Sequence, residues 1–223
     1  MVKVENLEKK FKNEVIITGV NMELEKGKIY GLVGHNGSGK TVLMKCICGF
    51  LRPTQGKVTV DGKVIGEDVD FPESVGVMIE TPGFIPYMSG KSNLKNLAMI
   101  RNVIGNKEIE ETMELVGLDP KSKKHVSKYS LGMRQRLGIA QAIMENPEFL
   151  ILDEPFNGLD SQGVEDMRKL FLQLREEGKT ILLASHSRED VELLCEKVYL
   201  VDGHQVKVRV EEENEDLEIY PNR

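Results

Sequence analysis

The chain has 223 residues, of which 40% are hydrophobic and 30% charged, a composition typical of one soluble globular domain. No apolar run approaches the roughly 20 residues that span a bilayer, and the N-terminal stretch lacks the apolar segment of a signal peptide. The net charge is −6, and residues 211–223 hold six acidic residues and one arginine, so the rest is nearly neutral. This excludes a strongly basic body, and we expect no nucleic-acid partner. Three cysteines without metal-ligand spacing indicate reduced thiols in the cytosol: Cys46, Cys48 and Cys195.

The first third of the chain alternates between strand signals and turns. Short alternating runs broken by Thr-Gly and Lys-Gly predict β-structure in the first 30 residues. An apolar strand at 29–33 leads into a glycine-rich loop, and a helix is predicted over 40–51, which Arg52-Pro53 ends. Residues 57–65, interrupted by Asp61-Gly62, predict a hairpin with a type I′ turn.

The remaining elements predict an α/β fold with an inserted helical lobe. Residues 74–80 predict a buried strand, and the next seven residues contain two prolines and a glycine, which excludes regular structure. The apolar spacing from Ser92 to about Asn146 is helical. Strands at 149–152, 180–184 and 198–201 then alternate with helices at 164–174 and 188–197, which predicts a parallel sheet. We divide the single domain, 1–223, into a core at 1–80 and 147–210, a helical lobe at about 81–146 and an acidic tail at 211–223.

The glycine-rich loop fills the pattern G-x-x-x-x-G-K-[ST] between a strand and a helix. Its candidate ATP-binding residues are Gly34, His35, Asn36, Gly37, Ser38, Gly39, Lys40 and Thr41. The glycines let the backbone curl so that N–H groups point at phosphate oxygens, and the helix N-terminus adds partial positive charge. We expect Lys40 to reach the β- and γ-phosphates and the Thr41 hydroxyl to ligate Mg²⁺.

An acidic pair follows the buried strand at 149–152. Asp153 and Glu154 by themselves are a common strand ending, but a hydrophobic strand that ends in Asp-Glu is also the second half of a P-loop ATPase site. We expect Asp153 to hold Mg²⁺, through water, and Glu154 to polarise the attacking water. The P-loop upstream favours this functional interpretation.

Further motifs follow in a fixed order along the chain. They are Ser130–Gly132 before Arg134-Gln135-Arg136, Leu152-Asp153-Glu154-Pro155, Gly158-Leu159-Asp160 and His186. With the P-loop, this series resembles the nucleotide-binding domain of ABC transporters over roughly residues 2–205. The resemblance implies an α/β P-loop ATPase core with a parallel sheet, an N-terminal antiparallel β-subdomain and an inserted α-helical subdomain. It also implies that two subunits, as a homodimer or a heterodimer, sandwich two ATP·Mg²⁺ and power transport through separate membrane permease subunits.

The same resemblance implies roles for residues outside the P-loop. Phe11 falls where the family has an adenine-stacking aromatic, although a strand-edge hydrophobe is the alternative. Asp160 resembles the D-loop residue at the subunit interface, and His186 the histidine that contacts the γ-phosphate.

A signature segment, usually Leu-Ser-Gly-Gly-Gln, closes on the γ-phosphate held by the other subunit in this family. Here it corresponds to Ser130, Leu131, Gly132 and Met133, preceded by Tyr129. Ser130 and Gly132 match the usual pattern and are the expected contacts. Tyr129, Leu131 and Met133 depart from it.

Glu80 stands at the hinge position where most of the family carries glutamine. With the variant signature, this is similar to the branch that exports peptide antibiotics, the lantibiotic-immunity and bacitracin-resistance-type ATPases. A general drug or lipid exporter is the alternative within that branch. Glu80 could ligate Mg²⁺ or its water. It also adds negative charge beside Asp153 and Glu154, which we expect to repel phosphate until Mg²⁺ arrives.

The resemblance places the chain on the cytoplasmic face of the cell membrane, attached through the permease. We expect permease helices to dock near the hinge, where Phe84, Ile85 and Tyr87 offer apolar contact. We expect no regulatory C-terminal domain. One alternative is a soluble ABC ATPase acting on a macromolecular complex, which usually has tandem ATPase domains or a coiled-coil insertion. The other is a switch that binds ATP without hydrolysing it, which Glu154 and His186 argue against.

Overall fold

A computed structural model describes residues 1–80 and 83–209 of the chain. The predicted acidic tail, 211–223, lies outside the described residues, as do Thr81 and Pro82 of the irregular segment. The strands are β1 (Val2–Phe11), β2 (Glu14–Leu24), β3 (Ile29–Val33), β4 (Gln55–Val60), β5 (Lys63–Val64), β6 (Val75–Met78), β7 (Phe149–Asp153), β8 (Thr180–Ala184), β9 (Lys197–Asp202) and β10 (Gln205–Val208). The helices are α1 (Lys40–Ile47), α2 (Gly90–Arg101), α3 (Asn106–Leu115), α4 (Leu131–Ile143), α5 (Ser161–Glu176) and α6 (Arg188–Leu194), with a 3-10 turn at Val126–Lys128.

Two sheets organise the described chain and confirm the predicted fold class. The larger has the order β10-β9-β3-β8-β7-β6 and is parallel except for β10. The smaller, β2-β1-β4-β5, is antiparallel. The central strands β3 and β8 are buried at every residue, because both faces of the parallel sheet are covered. The carboxyl ends of β3, β7 and β8 therefore meet at one edge of the sheet.

The two faces of the parallel sheet support separate hydrophobic cores. Leu150 and Leu152 of β7 face a core built with the helical lobe, α5 and α6. Phe149 and Ile151 alternate onto the other face and pack with α1 and the antiparallel sheet. The helix after the P-loop and the helical lobe therefore pack on opposite faces of the same parallel sheet.

Two predicted helix ends are wrong. Helix α1 ends at Ile47 instead of Leu51, with Cys48 as its C-cap, and α6 ends at Leu194 because β9 already begins at Lys197. The hairpin turn is confirmed, since Asp61 and Gly62 both have positive φ, 47° and 84°. All three cysteines are free thiols. None of the helices in the described ranges has the length and apolar character needed to cross a bilayer.

Candidate functional site

The P-loop joins the end of β3 to the start of α1, in a conformation that requires glycine. Gly34 has φ 155°, and a Cβ there would lie 2.4 Å from the Val201 carbonyl oxygen. Gly39 has φ 106°, and its Cβ would lie 2.8 Å from the side chain of Ile17. Gly39 is also the N-cap of α1 and supplies no side-chain cap. The first N–H groups of the helix therefore remain available to an anion.

Lys40 lies under this loop with only 7% of its surface exposed. Its Nζ donates to the carbonyl oxygens of Gly34, at 2.5 Å, and His35, at 3.1 Å. Burial lowers the pKa of Lys40, and the nearby Glu154 and Asp153 oppose that shift. The buried Ser38 hydroxyl has no hydrogen-bond partner within the described residues. A buried ammonium and a hydroxyl without a partner are both donors that could bind phosphate oxygens in this loop.

Thr41 and Asp153 come together at the opposite wall. The Thr41 Oγ1 donates to Asp153 Oδ2 at 2.8 Å. Burial raises the pKa of Asp153, and the Thr41 hydrogen bond opposes that shift. The described residues contain no cluster of three or more histidine, cysteine or acidic side chains suited to a metal. A hydroxyl and a carboxylate beside a phosphate loop fit magnesium, which keeps water and phosphate among its ligands.

Glu154 is held from three directions. Its N–H donates to the Ala184 carbonyl at 2.9 Å, and its own carbonyl accepts from Gln135 Nε2 at 2.7 Å. The His186 Nδ1 lies 2.6 Å from Glu154 Oε2. Glu154 has φ 50°, which is unusual for a non-glycine residue. Burial raises its pKa, while the charge of His186 lowers it. The arrangement can hold a carboxylate in one orientation to accept a proton.

A cavity of about 490 Å³ joins these parts. Besides P-loop residues, Asp153 and Glu154, its wall includes Ile16, Glu80, Leu131, Arg134, Gln135 and Asn157. Phe11 is not in this wall. It lies at the end of β1, 44% exposed, with Lys9 Nζ 5.1 Å from its ring centroid. Sequence reasoning gave no role to Ile16 or to the side chain of Gln135. Gln135 lies five residues after the N-cap Ser130, on the face of α4 that is turned toward β7. The sequence near Gln135 does not indicate that its side chain binds the Glu154 carbonyl.

Comparison with known proteins agrees with this geometry. The ABC transporter family profile matches residues 17–157. The chain belongs to this family. It is 42% identical over 196 residues to an uncharacterized ABC transporter ATP-binding protein, YybJ, of Bacillus subtilis (strain 168), covering 88% of this chain and 90% of that protein.

Two relatives of this ABC protein carry transport names. One is the bacitracin transport ATP-binding protein BcrA of Enterococcus faecalis, 41% identical over 93% of this chain and 68% of the relative. The other is the lantibiotic transport ATP-binding protein SrtF of Streptococcus pyogenes, 35% identical over 98% of this chain and 94% of the relative. The dimeric structure of MJ0796, a bacterial ABC transporter cassette, shares the fold with a TM-score of 0.82 at 24% identity, over 93% of this chain and 97% of that one. The protein is therefore a nucleotide-binding ATPase of an ABC transporter, and the alternative of a soluble non-transport ATPase is not supported.

In this ABC ATPase the residues predicted to form the signature segment, 130–133, lie at the start of helix α4. Ser130 is the N-cap, and its Oγ accepts from Met133 N at 3.1 Å. Leu131 is 52% exposed and packs on Gly158, where an added Cβ would lie 2.3 Å from the leucine Cδ2. A Cβ on Gly132 would lie 2.9 Å from the Gly158 carbonyl oxygen. Leu131 and Gly132 therefore contact the segment before Asp160 within one chain.

Asp160 is the N-cap of α5, and its Oδ1 accepts from Gly163 N at 2.9 Å. This hydrogen bond satisfies one of the free N–H groups of the helix and fixes the direction of the preceding turn. The D-loop prediction for Asp160 concerns a second subunit and stays a prediction.

The Glu80 carboxylate has a cationic partner that the sequence did not indicate. Lys45 Nζ lies 2.7 Å from Glu80 Oε1, and the expected repulsion of phosphate stays a prediction. Glu80 also has φ 59°, which turns the chain sharply after β6. Glu80 therefore borders the nucleotide cavity while it is paired with the cation on α1.

Asp153→Asn should raise the melting temperature of the protein in EDTA without nucleotide, by about 2 °C at pH 7–8. The pKa of Asp153 is higher in the folded protein than its ordinary value, 3.8. Its protonation therefore favours the folded state fully only below pH 3.8, and this stabilisation is lost as the pH rises through the folded-state pKa. The gain should shrink as pH falls towards 4. The control is Asp166→Asn. A hydrogen bond from Gln162 lowers the pKa of Asp166, so this variant should lose stability at pH 7–8. Equal effects of Asp153→Asn at all pH values would contradict the argument.

Proposed function

We propose that this ABC ATPase powers the export of peptide antibiotics, such as bacitracin or lantibiotics, or of related amphipathic compounds. The observation that carries the ATPase part is the meeting of the P-loop, Asp153 and Glu154 around one cavity, with His186 in contact with the Glu154 carboxylate. The substrate class is supported by the transport names of BcrA and SrtF. In this proposal the chain lies at the inner face of the cell membrane, bound to permease subunits.

The P-loop N–H groups and Lys40 bind the β- and γ-phosphates of ATP in this proposal. Thr41 and Asp153, the latter through water, would hold Mg²⁺, and Glu80 would be a further candidate ligand. The metal would neutralise phosphate charge when bound. Ile16 in the cavity wall, or Phe11 after a movement of the β1–β2 hairpin, would contact the nucleoside.

Glu154 is the proposed general base for the attacking water. Its carboxylate accepts the water proton as the oxygen bonds to the γ-phosphorus and the bond to ADP breaks, which yields ADP and phosphate. In this role Glu154 is ionised, so the His186 Nδ1–H donates to Glu154 Oε2 and holds that carboxylate in place. We assign His186 the γ-phosphate contact as well, because its side chain is 60% exposed beside the base.

A second ATPase subunit, in our proposal another copy of this chain, completes the site. The Ser130 hydroxyl and the Gly132 backbone at the start of α4 would meet the γ-phosphate of the partner, aided by the helix N-terminus. The exposed side chain of Leu131 and the D-loop residue Asp160 would lie at the same interface. Closure of two subunits with ATP, followed by hydrolysis and reopening, supplies the movement for transport.

A groove between the sheet edge and α2 is the proposed permease contact. It has a volume of about 520 Å³ and exposes Phe50, Phe71 and Ile100, the last at 79%. The groove and the nucleotide cavity are linked by the main chain, since Ile79 lines the groove and the next residue, Glu80, lines the cavity. We propose that a cytoplasmic permease helix docks here, so that its movement reaches the ATP site.

The hinge residues expected to contact the permease differ in their availability. Tyr87 is 72% exposed, although it is not part of the groove wall. Phe84 packs partly against the helical-lobe core. The Ile85 main chain is fixed by the Asn93 side chain, which accepts from Ile85 N at 2.7 Å and donates to its carbonyl. Tyr87 is therefore the best of these three for a direct contact.

Replacing Phe71 and Ile100 by serine should reduce co-purification with the permease about tenfold, because apolar anchors dominate the energy of such contacts. ATP hydrolysis by the isolated subunit should not change. The matched control is Met99→Ser, which alters an exposed residue of α2 outside the groove. Undiminished co-purification of the double variant would place the contact elsewhere.

The transport proposal can be tested by resistance. The chain is expressed in a sensitive host with each permease encoded beside it, and growth is measured against bacitracin and a panel of lantibiotics. Resistance that disappears with Glu154→Gln supports ATP-driven export of that antibiotic. A lack of resistance with every permease, despite membrane recruitment and ATPase activity, would contradict the proposed substrate class.

A further inference from the structure

An ion pair connects the P-loop helix to the hinge. Lys45 lies in the last turn of α1, and its Nζ contacts Glu80 Oε1 at 2.7 Å. The lysine side chain is 27% exposed and the glutamate 63%. Such a pair adds little to folding stability, because water screens it. Its position matters more, since α1 begins with Lys40 and Glu80 faces the nucleotide cavity.

The charge of Glu80 reaches the candidate metal site. The pKa of Asp153 is raised mainly by burial, but Glu80 raises it further and Lys45 lowers it. The two side chains therefore act on the same carboxylate with opposite signs. Lys40, the cation inside the cavity, donates to main-chain carbonyls of the P-loop. The cation that pairs with Glu80 is Lys45.

We propose that Lys45 is a positioning residue that restrains the Glu80 carboxylate and competes with Mg²⁺ for it, an inference that rests on the proposed function of the cavity. Before nucleotide binds, Lys45 offsets part of the negative charge that Glu80 adds beside Asp153. With metal and ATP bound, Glu80 would leave the Lys45 ammonium, and its carboxylate would be available to the metal or its water. Lys45 thereby sets how strongly nucleotide binding depends on magnesium.

Removal of the Lys45 side chain should have two measurable consequences. Without Lys45, the free Glu80 carboxylate repels the phosphates of metal-free ATP, so binding in EDTA weakens. The same free carboxylate attracts magnesium, so less Mg²⁺ is needed for half-maximal nucleotide binding. Both effects require Glu80, and both should vanish when its charge is removed.

A double-mutant cycle tests this with a fluorescent ATP analogue and purified full-length protein. Lys45→Met should weaken binding in EDTA about threefold and lower the half-saturating Mg²⁺ concentration by a similar factor, the size expected for a partly exposed charge. In the Glu80→Gln background, Lys45→Met should change neither value. Lys45→Arg, which keeps the charge, should remain close to wild type.

The controls separate this inference from the assignment of the cavity. Lys63→Met breaks an ion pair with Glu73 away from the site and should leave both affinities unchanged. Melting temperatures of all variants confirm folding. Equal effects of Lys45→Met with and without Glu80 would mean that Lys45 acts directly on phosphate, and no effect in either background would mean that the pair is only structural. Either result overturns the inference. Retention of nucleotide binding by Lys40→Met would instead overturn the proposed site.

Discussion

Glu154→Gln should lower the rate of ATP hydrolysis by about 100-fold to 1,000-fold while ATP affinity stays within about threefold of wild type. Glutamine keeps the size of the side chain and can still bond to His186, but it cannot accept the proton of the attacking water. The loss should appear in the rate constant of a single turnover, measured as phosphate release from pre-bound ATP. Binding is measured separately with a fluorescent analogue.

Two comparisons make the Glu154 result specific. Glu114→Gln removes an exposed carboxylate from α3, far from the cavity wall, and should leave the rate unchanged. His186→Ala removes the side chain that contacts Glu154 Oε2 and should also slow the turnover, since the base loses its orientation. A Glu154→Gln variant that kept more than about a tenth of the activity would show that the base is another group.

Lys40→Met should weaken ATP binding about 100-fold, the loss that follows when a buried charge partner of an anion is removed. Lys40 is enclosed by the P-loop, so water cannot readily replace its ammonium. Folding should persist, because burial already disfavours the charged lysine and methionine fills similar space. The measurement is equilibrium binding of Mg·ATP, together with a melting curve.

Lys95→Met is the matched control for this loss. Lys95 is an exposed lysine of α2 outside the cavity wall, so its replacement changes net charge equally without touching the site. Its ATP affinity should equal that of wild type. Wild-type affinity in Lys40→Met would mean that the P-loop N–H groups bind the phosphates without the lysine.

Local sequence was sufficient to predict those parts of the fold and the site that are formed by consecutive residues. The P-loop at 34–41 follows its strand and begins its helix as predicted, because glycines and an apolar run determine backbone shape over a few residues. The Asp61-Gly62 turn was predicted for the same reason. The acidic pair at 153–154 could be located from the buried strand before it. Helix ends were less predictable. Leu51 lies beyond the C-cap Cys48 of α1, and Lys197 pairs with Tyr30 as the first residue of β9.

The sequence by itself determined the fold class, the family and the phosphate loop, because repeated apolar spacing and contiguous motifs carry that information. Only the tertiary structure showed that Gln135 holds the Glu154 carbonyl, that His186 bonds to its carboxylate and that Lys45 neutralises Glu80. These partners lie 19, 32 and 35 residues apart, so no local pattern links them. Their meeting depends on the parallel sheet, which brings distant strand ends and helix starts to one edge.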